Sequence, residues 1–199
     1  MTTEPPLDEK IVAITRAFDT ARIDHAFGGA LALAYYAEPR ATIDVDVNVF
    51  VPPRRAGRTL DTVAGLGATV DRSTALAEAH ERGQVRVRWG RSPIDLFFAY
   101  DAFHEACHQD RRPVPFGDAR IPILAAEHLI VCKAVFDRRK DWLDIEQVVV
   151  VTARELRVDE VRGWMERIAG PDDRRTRRLE RLIVRTIGSP PASGRTPRR

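Results

Sequence analysis

The chain has 199 residues, of which 44% are apolar and 31% charged, and its 32 basic and 29 acidic side chains give a formal charge of +3. This composition predicts a soluble globular protein and excludes a disordered or fibrous chain. No run approaches the about 18 consecutive apolar residues of a membrane span, and acidic residues lie near the N-terminus, so we expect neither a membrane span nor a secretory signal. The two cysteines form no CxxC pair, and we therefore expect a cytoplasmic protein.

The hydrophobic pattern predicts alternating helices and strands in the first part of the chain. The predicted helices are residues 7–21, a segment from Ala30 to before Pro39, 54–66 and 74–82. The predicted strands are 23–27, 41–51, 84–89 and 93–100, the last two joined as a hairpin by Gly90-Arg91-Ser92. A proline-punctuated stretch at 111–122 ends this part.

Only helices are predicted from residue 123 onward, at 123–136, 140–153, 158–169 and 172–187. We therefore expect an α/β domain at residues 1–118, an all-helical C-terminal region at 119–187 and a disordered basic tail at 188–199. Residues 171–199 carry nine arginines against three acids, whereas residues 1–170 sum to −3. This division fits a surface that binds a polyanion, and a solvated helix with a disordered tail explains it equally well.

Two carboxylates share one face of the predicted strand at residues 41–51. Strand alternation places Ala41, Ile43, Val45, Val47 and Val49 on one face and Thr42, Asp44, Asp46 and Asn48 on the other. Aspartate and asparagine are depleted in strands, and like charges at this spacing repel unless a cation lies beside them. The face is therefore either exposed to solvent or a site for a divalent ion with oxygen ligands.

Asp95 favours the metal site. It interrupts the apolar run PIDLFFAY at residues 93–100, which is predicted to be buried on both faces. A carboxylate there is costly unless it is paired or bound to metal, although a position at the rim of the sheet would let it contact water. Together with Asp44 and Asp46 it supplies enough ligands for two Mg²⁺ ions of the kind that assist phosphoryl displacement.

A glycine pair precedes the carboxylate strand. Gly28 and Gly29 lie between the strand that ends at Phe27 and the helix predicted near Ala30, where the backbone can approach a phosphate closely. By itself the pair is also compatible with any tight turn from a strand into a helix.

These elements together resemble a known family. Residues 27–50, FGGALALAYYAEPRATIDVDVNVF, resemble the first signature of the nucleotidyltransferase fold shared with DNA polymerase β. The R-x-T-x-D-h-D motif within them is similar to that of the AbiE-type and MenT-type toxin nucleotidyltransferases. Ile94-Asp95-Leu96 matches their second signature. Their third is similar to Lys133 followed by RRKDWLDI at residues 138–145.

The resemblance implies a minimal α/β nucleotidyltransferase fold, with a mixed β-sheet flanked by helices, and a set of site residues. It implies that Asp44 and Asp46 bind Mg²⁺ and that Asp95 completes a second metal site or acts as the base. Lys133 would bind the β- and γ-phosphates of the NTP, and Asp144 would pair with Lys133 or contact the nucleotide. The remaining nucleotide-binding residues implied are Gly28, Gly29, Arg40 and Thr42. Ala30 departs from the family, in which many members have a hydroxyl residue.

The resemblance also implies a biological role and partners. It implies a toxin that transfers a nucleotide to an RNA acceptor, the 3′ end of tRNA, and that is silenced by a cognate antitoxin encoded nearby. Phosphorylation of Thr42 would place about two negative charges beside Asp44 and should block metal or NTP binding, so we take it as a hypothesis for this silencing. The arginines predicted to contact RNA are Arg174, Arg175, Arg177, Arg178 and Arg181. Two alternatives are a small-molecule nucleotidyltransferase of the aminoglycoside type and a non-catalytic binding module.

Overall fold

Residues 4–188 are described by a computed structural model, and they divide into two units between Ala125 and Ala126. The first unit is an α/β structure with six strands, and the described part of the second unit contains only helices, as predicted. The division lies seven residues after the predicted boundary at 118, because residues 119–123 form a strand of the first unit. The predicted tail lies outside the described residues except for Gly188.

The first unit is built on one mixed sheet in the strand order β3-β4-β2-β1-β6-β5. Its strands are β1 His25–Phe27, β2 Val45–Val49, β3 Gln84–Trp89, β4 Ser92–Phe98, β5 Arg112–Phe116 and β6 Ala119–Ile123. Its helices are α1 Leu7–Thr20, α2 Gly29–Leu33, α3 Ala56–Gly65, α4 Arg72–Arg82 and α5 Ala102–Gln109, with a 3-10 turn at Pro53–Arg55. Strands β2 and β4, which carry Asp46 and Asp95, are parallel neighbours inside the sheet.

Strand β2 is shorter than the predicted strand at 41–51. Its apolar face is as predicted, since Val45, Val47 and Val49 are all buried, but Ile43 is 63% exposed and lies before the strand. Pairing with β4 begins at Val45, opposite Ile94. The preceding residue of β4 is Pro93, which has no N–H to extend the ladder. Of the two predicted strand carboxylates, Asp46 is therefore within the strand and Asp44 immediately precedes it.

The proline-punctuated stretch at 111–122 contains a β-hairpin, which was not predicted from the sequence. Strands β5 and β6 pair through Val114 opposite Ile121, with Pro113 and Pro115 on either side of Val114. Strand β5 is the outer strand of the sheet. Prolines are tolerated on an edge strand because their missing N–H groups can face the open side.

A buried lysine fixes the turn of the β3–β4 hairpin. Lys10 of α1 is 1% exposed, and its Nζ donates to the backbone oxygen of Trp89 at 2.8 Å and to Ser92 Oγ at 3.0 Å. Glu4 pairs with Lys10 and accepts a hydrogen bond from the Arg91 backbone at 2.8 Å. A buried lysine charge is tolerated only with such partners. The hairpin that carries Asp95 is therefore anchored at its turn.

The second unit contains four helices, which are α6 Ala126–Phe136, α7 Arg139–Thr152, α8 Val158–Ala169 and α9 Arg174–Ile187. Asp173 caps α9, because its side chain accepts from the Arg175 backbone N–H at 2.8 Å. The same carboxylate pairs with the Arg175 guanidinium, and these hydrogen bonds lower the pKa of Asp173 to about 2. None of the helices in the described range 4–188 is long and apolar enough to span a bilayer.

Candidate active site

Two carboxylates lie side by side on the central strands of the sheet. Asp46 of β2 is the register partner of Asp95 of β4, and adjacent strands are separated by about 4.8 Å. Residues in register project from the same face of a sheet, so the two side chains share one face. Asp95 is 4% exposed in the middle of its strand, as the apolar run predicted, and is not at the rim.

Asp44 stands at the entrance to β2 and is exposed. Its backbone N–H donates to Thr42 Oγ1 at 3.1 Å, which fixes the turn into the strand. The charges of Asp44 and Asp46 both contribute to raising the pKa of Arg86, after the larger effect of Asp95. The charges of Asp44, Asp46 and Asp95 therefore all act on the Arg86 guanidinium. Arg40, the other residue predicted in this loop, is exposed.

The glycine pair packs directly against Asp46. The backbone N–H of Gly28 donates to the Asp46 backbone oxygen at 2.9 Å. Gly29 has a φ of +54°, and a Cβ at this position would overlap Asp46 Oδ2 and lie 2.6 Å from Asp46 Cγ. Only glycine allows both this conformation and this approach. Helix α2, Gly29–Leu33, is shorter than the predicted segment. Gly29 leaves space for the Asp46 carboxylate.

Arg86 belongs to this site and was not singled out from the sequence. Its Nε donates to Asp95 Oδ1 at 2.8 Å and its Nη2 to Asp95 Oδ2 at 2.6 Å. The register of the β3–β4 hairpin identifies Arg86 as part of the site. The turn consists of Gly90 and Arg91 alone and pairs Trp89 with Ser92. That register places Arg86 opposite Asp95, whereas the predicted three-residue turn did not.

The donor set fits a divalent cation with a preference for oxygen. Asp44, Asp46 and Asp95 offer carboxylate oxygens only, which are the ligands that Mg²⁺ takes in proteins. The Asp46 carboxylate occupies the space that a side chain at Gly29 would fill, so it lies against the start of α2. Asp44, Asp46 and Asp95 would therefore hold the metal. A metal ion that uses Asp95 must share this carboxylate with Arg86 or replace it.

The second unit brings Lys133 and Asp144 together. Lys133 Nζ donates to Asp144 Oδ2 at 2.6 Å, and both side chains are largely buried, at 5% and 9% exposed. Asp141 lies farther from the amine, at 3.9 Å, and its carboxylate instead pairs with Arg138 and caps α7. The structure therefore contains the Lys133–Asp144 pair that the sequence allowed.

We expect Lys133→Met to lower the free energy of unfolding by about 3 kcal/mol, because it removes the ammonium group that pairs with the buried Asp144 carboxylate. Adding Asp144→Asn to this variant should recover part of the loss. Urea denaturation of the full chain measures both effects. Lys140→Met is the control, since Lys140 is exposed and its loss should change stability by less than about 0.5 kcal/mol. Equal midpoints for the two single variants would contradict the expected role of the pair.

The arginines predicted to bind RNA differ in their surroundings. Arg174 pairs with Asp137, Arg175 with Asp173 and Arg177 with Asp172, while the Arg178 guanidinium lies 4.3 Å from the Trp142 ring centre. No acid within residues 4–188 pairs with Arg181, which lines a groove of about 840 Å³ between α7 and α9. The other arginines lining this groove are Arg139, Arg178 and Arg185.

Comparison with known proteins gives the class of fold. No model of a known protein family matches the chain, and no curated protein does. Solved structures do match, and they show that the chain has the nucleotidyltransferase fold. The sequence prediction of this α/β fold, followed by helices, is confirmed.

Three of these structures illustrate the likeness. The chain is similar to the antibiotic-resistance factor ANT(2'')-Ia in complex with adenylyl-2''-tobramycin, with a TM-score of 0.59 and 15% identity over 81% of this chain and 98% of that one. It is similar to a nucleotidyltransferase-like antigenic protein from Paracoccidioides brasiliensis, with a TM-score of 0.50 and 13% identity over 92% and 88%. The third is the lincosamide antibiotic adenylyltransferase LnuA, with a TM-score of 0.50 and 13% identity over 72% and 97%.

Proposed function

We propose that the protein transfers a nucleoside monophosphate from an NTP to a hydroxyl group, using Mg²⁺ held by Asp44, Asp46 and Asp95. The observation that supports this most strongly is the in-register pair Asp46 and Asp95 beside Gly29, on the fold of the nucleotidyltransferases. Two carboxylates in register on adjacent strands repel each other, and Asp95 is buried, so a cation bound beside them is a good reason for their position.

In the proposed reaction the acceptor oxygen forms a bond to the α-phosphorus and the bond to the β-phosphate oxygen breaks, releasing pyrophosphate. Asp44, Asp46 and Asp95 would hold Mg²⁺, which would supply positive charge to neutralise the triphosphate and to make the attacking hydroxyl more acidic. The absence of a side chain at Gly29 leaves room for the Asp46 carboxylate, and Asp95 would complete the second metal site or receive the hydroxyl proton. Lys133, with Asp144 as its counter-ion, is proposed to bind the β- and γ-phosphates. Arg40 and Thr42 are proposed as further phosphate contacts.

The acceptor that we propose is RNA, at the 3′ end of tRNA, which would make the protein a toxin that blocks translation and requires an antitoxin. The support is the resemblance to the AbiE-type and MenT-type toxins and the arginines along α9 and its groove. The Arg174 and Arg177 side chains are 81% and 59% exposed, and exposed ion pairs contribute only about 0–1 kcal/mol, so phosphates can compete for them. Thr42, half-buried beside Asp44, remains the proposed phosphorylation site.

A small-molecule acceptor is the second candidate. It is favoured by the likeness to ANT(2'')-Ia, whose structure holds adenylyl-2''-tobramycin, and to LnuA. An aminoglycoside is a polycation, so its acceptor site needs acidic side chains that are not already used for metal. The arginine-lined groove of the second unit is unsuited to such a substrate.

The acceptor is tested by incubating the full chain with each of the four α-³²P-labelled NTPs and Mg²⁺. Parallel reactions contain total tRNA, tRNA lacking its 3′ end, tobramycin or lincomycin. We expect label on intact tRNA alone. Label on an antibiotic would replace the RNA proposal with the second candidate, whereas no transfer to any acceptor and no pyrophosphate release would contradict nucleotidyl transfer itself.

A further inference from the structure

The ion pair between Arg86 and Asp95 occupies a carboxylate that the proposed reaction needs. Both oxygens of Asp95 accept from the guanidinium, at 2.8 and 2.6 Å, in a two-pronged arrangement. The Asp95 side chain is 5% exposed, whereas that of Arg86 is 62% exposed. The acid is therefore buried within the sheet, and its counter-ion reaches it from the surface.

Arg86 and a divalent cation are alternative partners for this carboxylate. A guanidinium bound to both oxygens uses the lone pairs that face it, and a metal ion brought to the same oxygens meets a fixed positive charge. The register partner of Asp95 on β3 is Arg86, and its guanidinium contacts both oxygens of this carboxylate. The competition therefore concerns Asp95.

We propose that Arg86 is a positioning residue that competes with the divalent cation for Asp95, so that metal binding by Asp95 requires the guanidinium to withdraw. This inference rests on the proposed function, because it assumes that Asp44, Asp46 and Asp95 bind the metal. It adds a residue that sets how strongly the metal is held.

Arg86 can withdraw without disturbing the sheet. Strands β3 and β4 are paired over six residues from Gln84 to Trp89, and this pairing uses backbone groups only. Arg86 alternates with the buried Val85 and Val87, so its side chain projects from the sheet towards solvent. Rotation about its side-chain bonds therefore releases Asp95 while the strand stays in place.

Arg88 provides a matched control. It lies two residues further along β3, on the same face as Arg86, and is exposed. Its register partner is Pro93, and within residues 4–188 no carboxylate pairs with its side chain. Replacing either arginine removes one positive charge near the same acids, but only Arg86 contacts Asp95.

The test is a titration of the full chain, stripped with a chelator, with Mn²⁺ as the probe and electron paramagnetic resonance to detect free ion. Arg86→Gln should lower the dissociation constant of Mn²⁺ about tenfold relative to the wild type, which equals about 1.4 kcal/mol. Arg88→Gln should change it by no more than about twofold, since its charge is screened by solvent. In an Asp95→Asn background, Arg86→Gln should change the dissociation constant by no more than about twofold, because the carboxylate for which the two cations compete is gone.

The outcomes separate this proposal from the proposed function. If Arg86→Gln and Arg88→Gln have equal Mn²⁺ affinities while Asp46→Asn abolishes binding, the metal site stands and the competition by Arg86 is refuted. If the wild type and both arginine variants bind no Mn²⁺, both proposals fail. If Arg86→Gln does not fold, Arg86→Lys is used to test the competition instead, because lysine keeps the positive charge but loses the two-pronged contact with Asp95. It should bind Mn²⁺ more tightly than the wild type, and unchanged affinity would overturn the proposal.

Discussion

Asp46→Asn is expected to reduce nucleotidyl transfer by about a thousandfold, which corresponds to about 4 kcal/mol of lost transition-state stabilisation. The amide has nearly the shape of the carboxylate, so the packing against Gly29 is retained while the negative charge is lost. Transfer of α-³²P label under saturating NTP and acceptor measures the effect. Since Asp46 is only partly buried, the thermal unfolding midpoint should hardly change.

Asp118→Asn is the control for this variant. Asp118 is an exposed acid in the turn between β5 and β6, far along the chain from the carboxylate strands, and its replacement should leave transfer unchanged. If Asp46→Asn kept more than about a tenth of wild-type activity, the assignment of Asp46 as a metal ligand would be wrong, because losing such a ligand costs several kcal/mol.

Gly29→Ala is expected to abolish transfer almost as completely, although it removes no chemical group. The added methyl would overlap Asp46 Oδ2, so the carboxylate must move out of position or the glycine turn must open. Displacement of a catalytic group by about 1 Å can cost about a hundredfold in rate. The positive φ of Gly29 adds about 1–2 kcal/mol of backbone strain for alanine.

Gly117→Ala is the control that distinguishes the steric clash with Asp46 from the backbone strain of a positive φ. Gly117 has a φ of +56°, close to that of Gly29, but a Cβ there meets nothing within 4 Å. Both alanine variants should lose similar stability from backbone strain, as measured by thermal unfolding, and only Gly29→Ala should lose activity. Full activity of Gly29→Ala would mean that the position of the Asp46 carboxylate does not matter for the reaction.

The features of the site that could be predicted are those that depend on residues close together in the sequence. Alternation within one strand was enough to identify the apolar face of β2 and the carboxylate of Asp46, and an acid within an apolar run identified the burial of Asp95. The Arg86–Asp95 pair depends on hairpin register, and a one-residue error in the turn moves every pairing. The close packing of Asp46 against Gly29 depends on the three-dimensional fold, which a glycine pair in a sequence does not specify.

The fold was predictable where a single periodicity dominated. Helices α6 to α9 match the predicted segments closely because each has helical spacing and a clear break before the next. The β5–β6 hairpin was missed because its prolines are typical of breaks, and the compatibility of Pro113 and Pro115 with β5 depends on the position of that strand at the sheet edge. Edge position is a property of the assembled sheet and not of the segment.

The composition of the outermost strands has a consequence for behaviour at high protein concentration. Fibrils and strand-swapped oligomers grow when an unprotected edge accepts a strand from another molecule. Strand β5 presents Pro113 and Pro115, which cannot donate hydrogen bonds to an incoming strand. On β3, Thr69 already donates to the Arg88 backbone oxygen at 2.7 Å, and Arg86 and Arg88 add charge. The sheet is therefore protected at both ends against growth by strand addition.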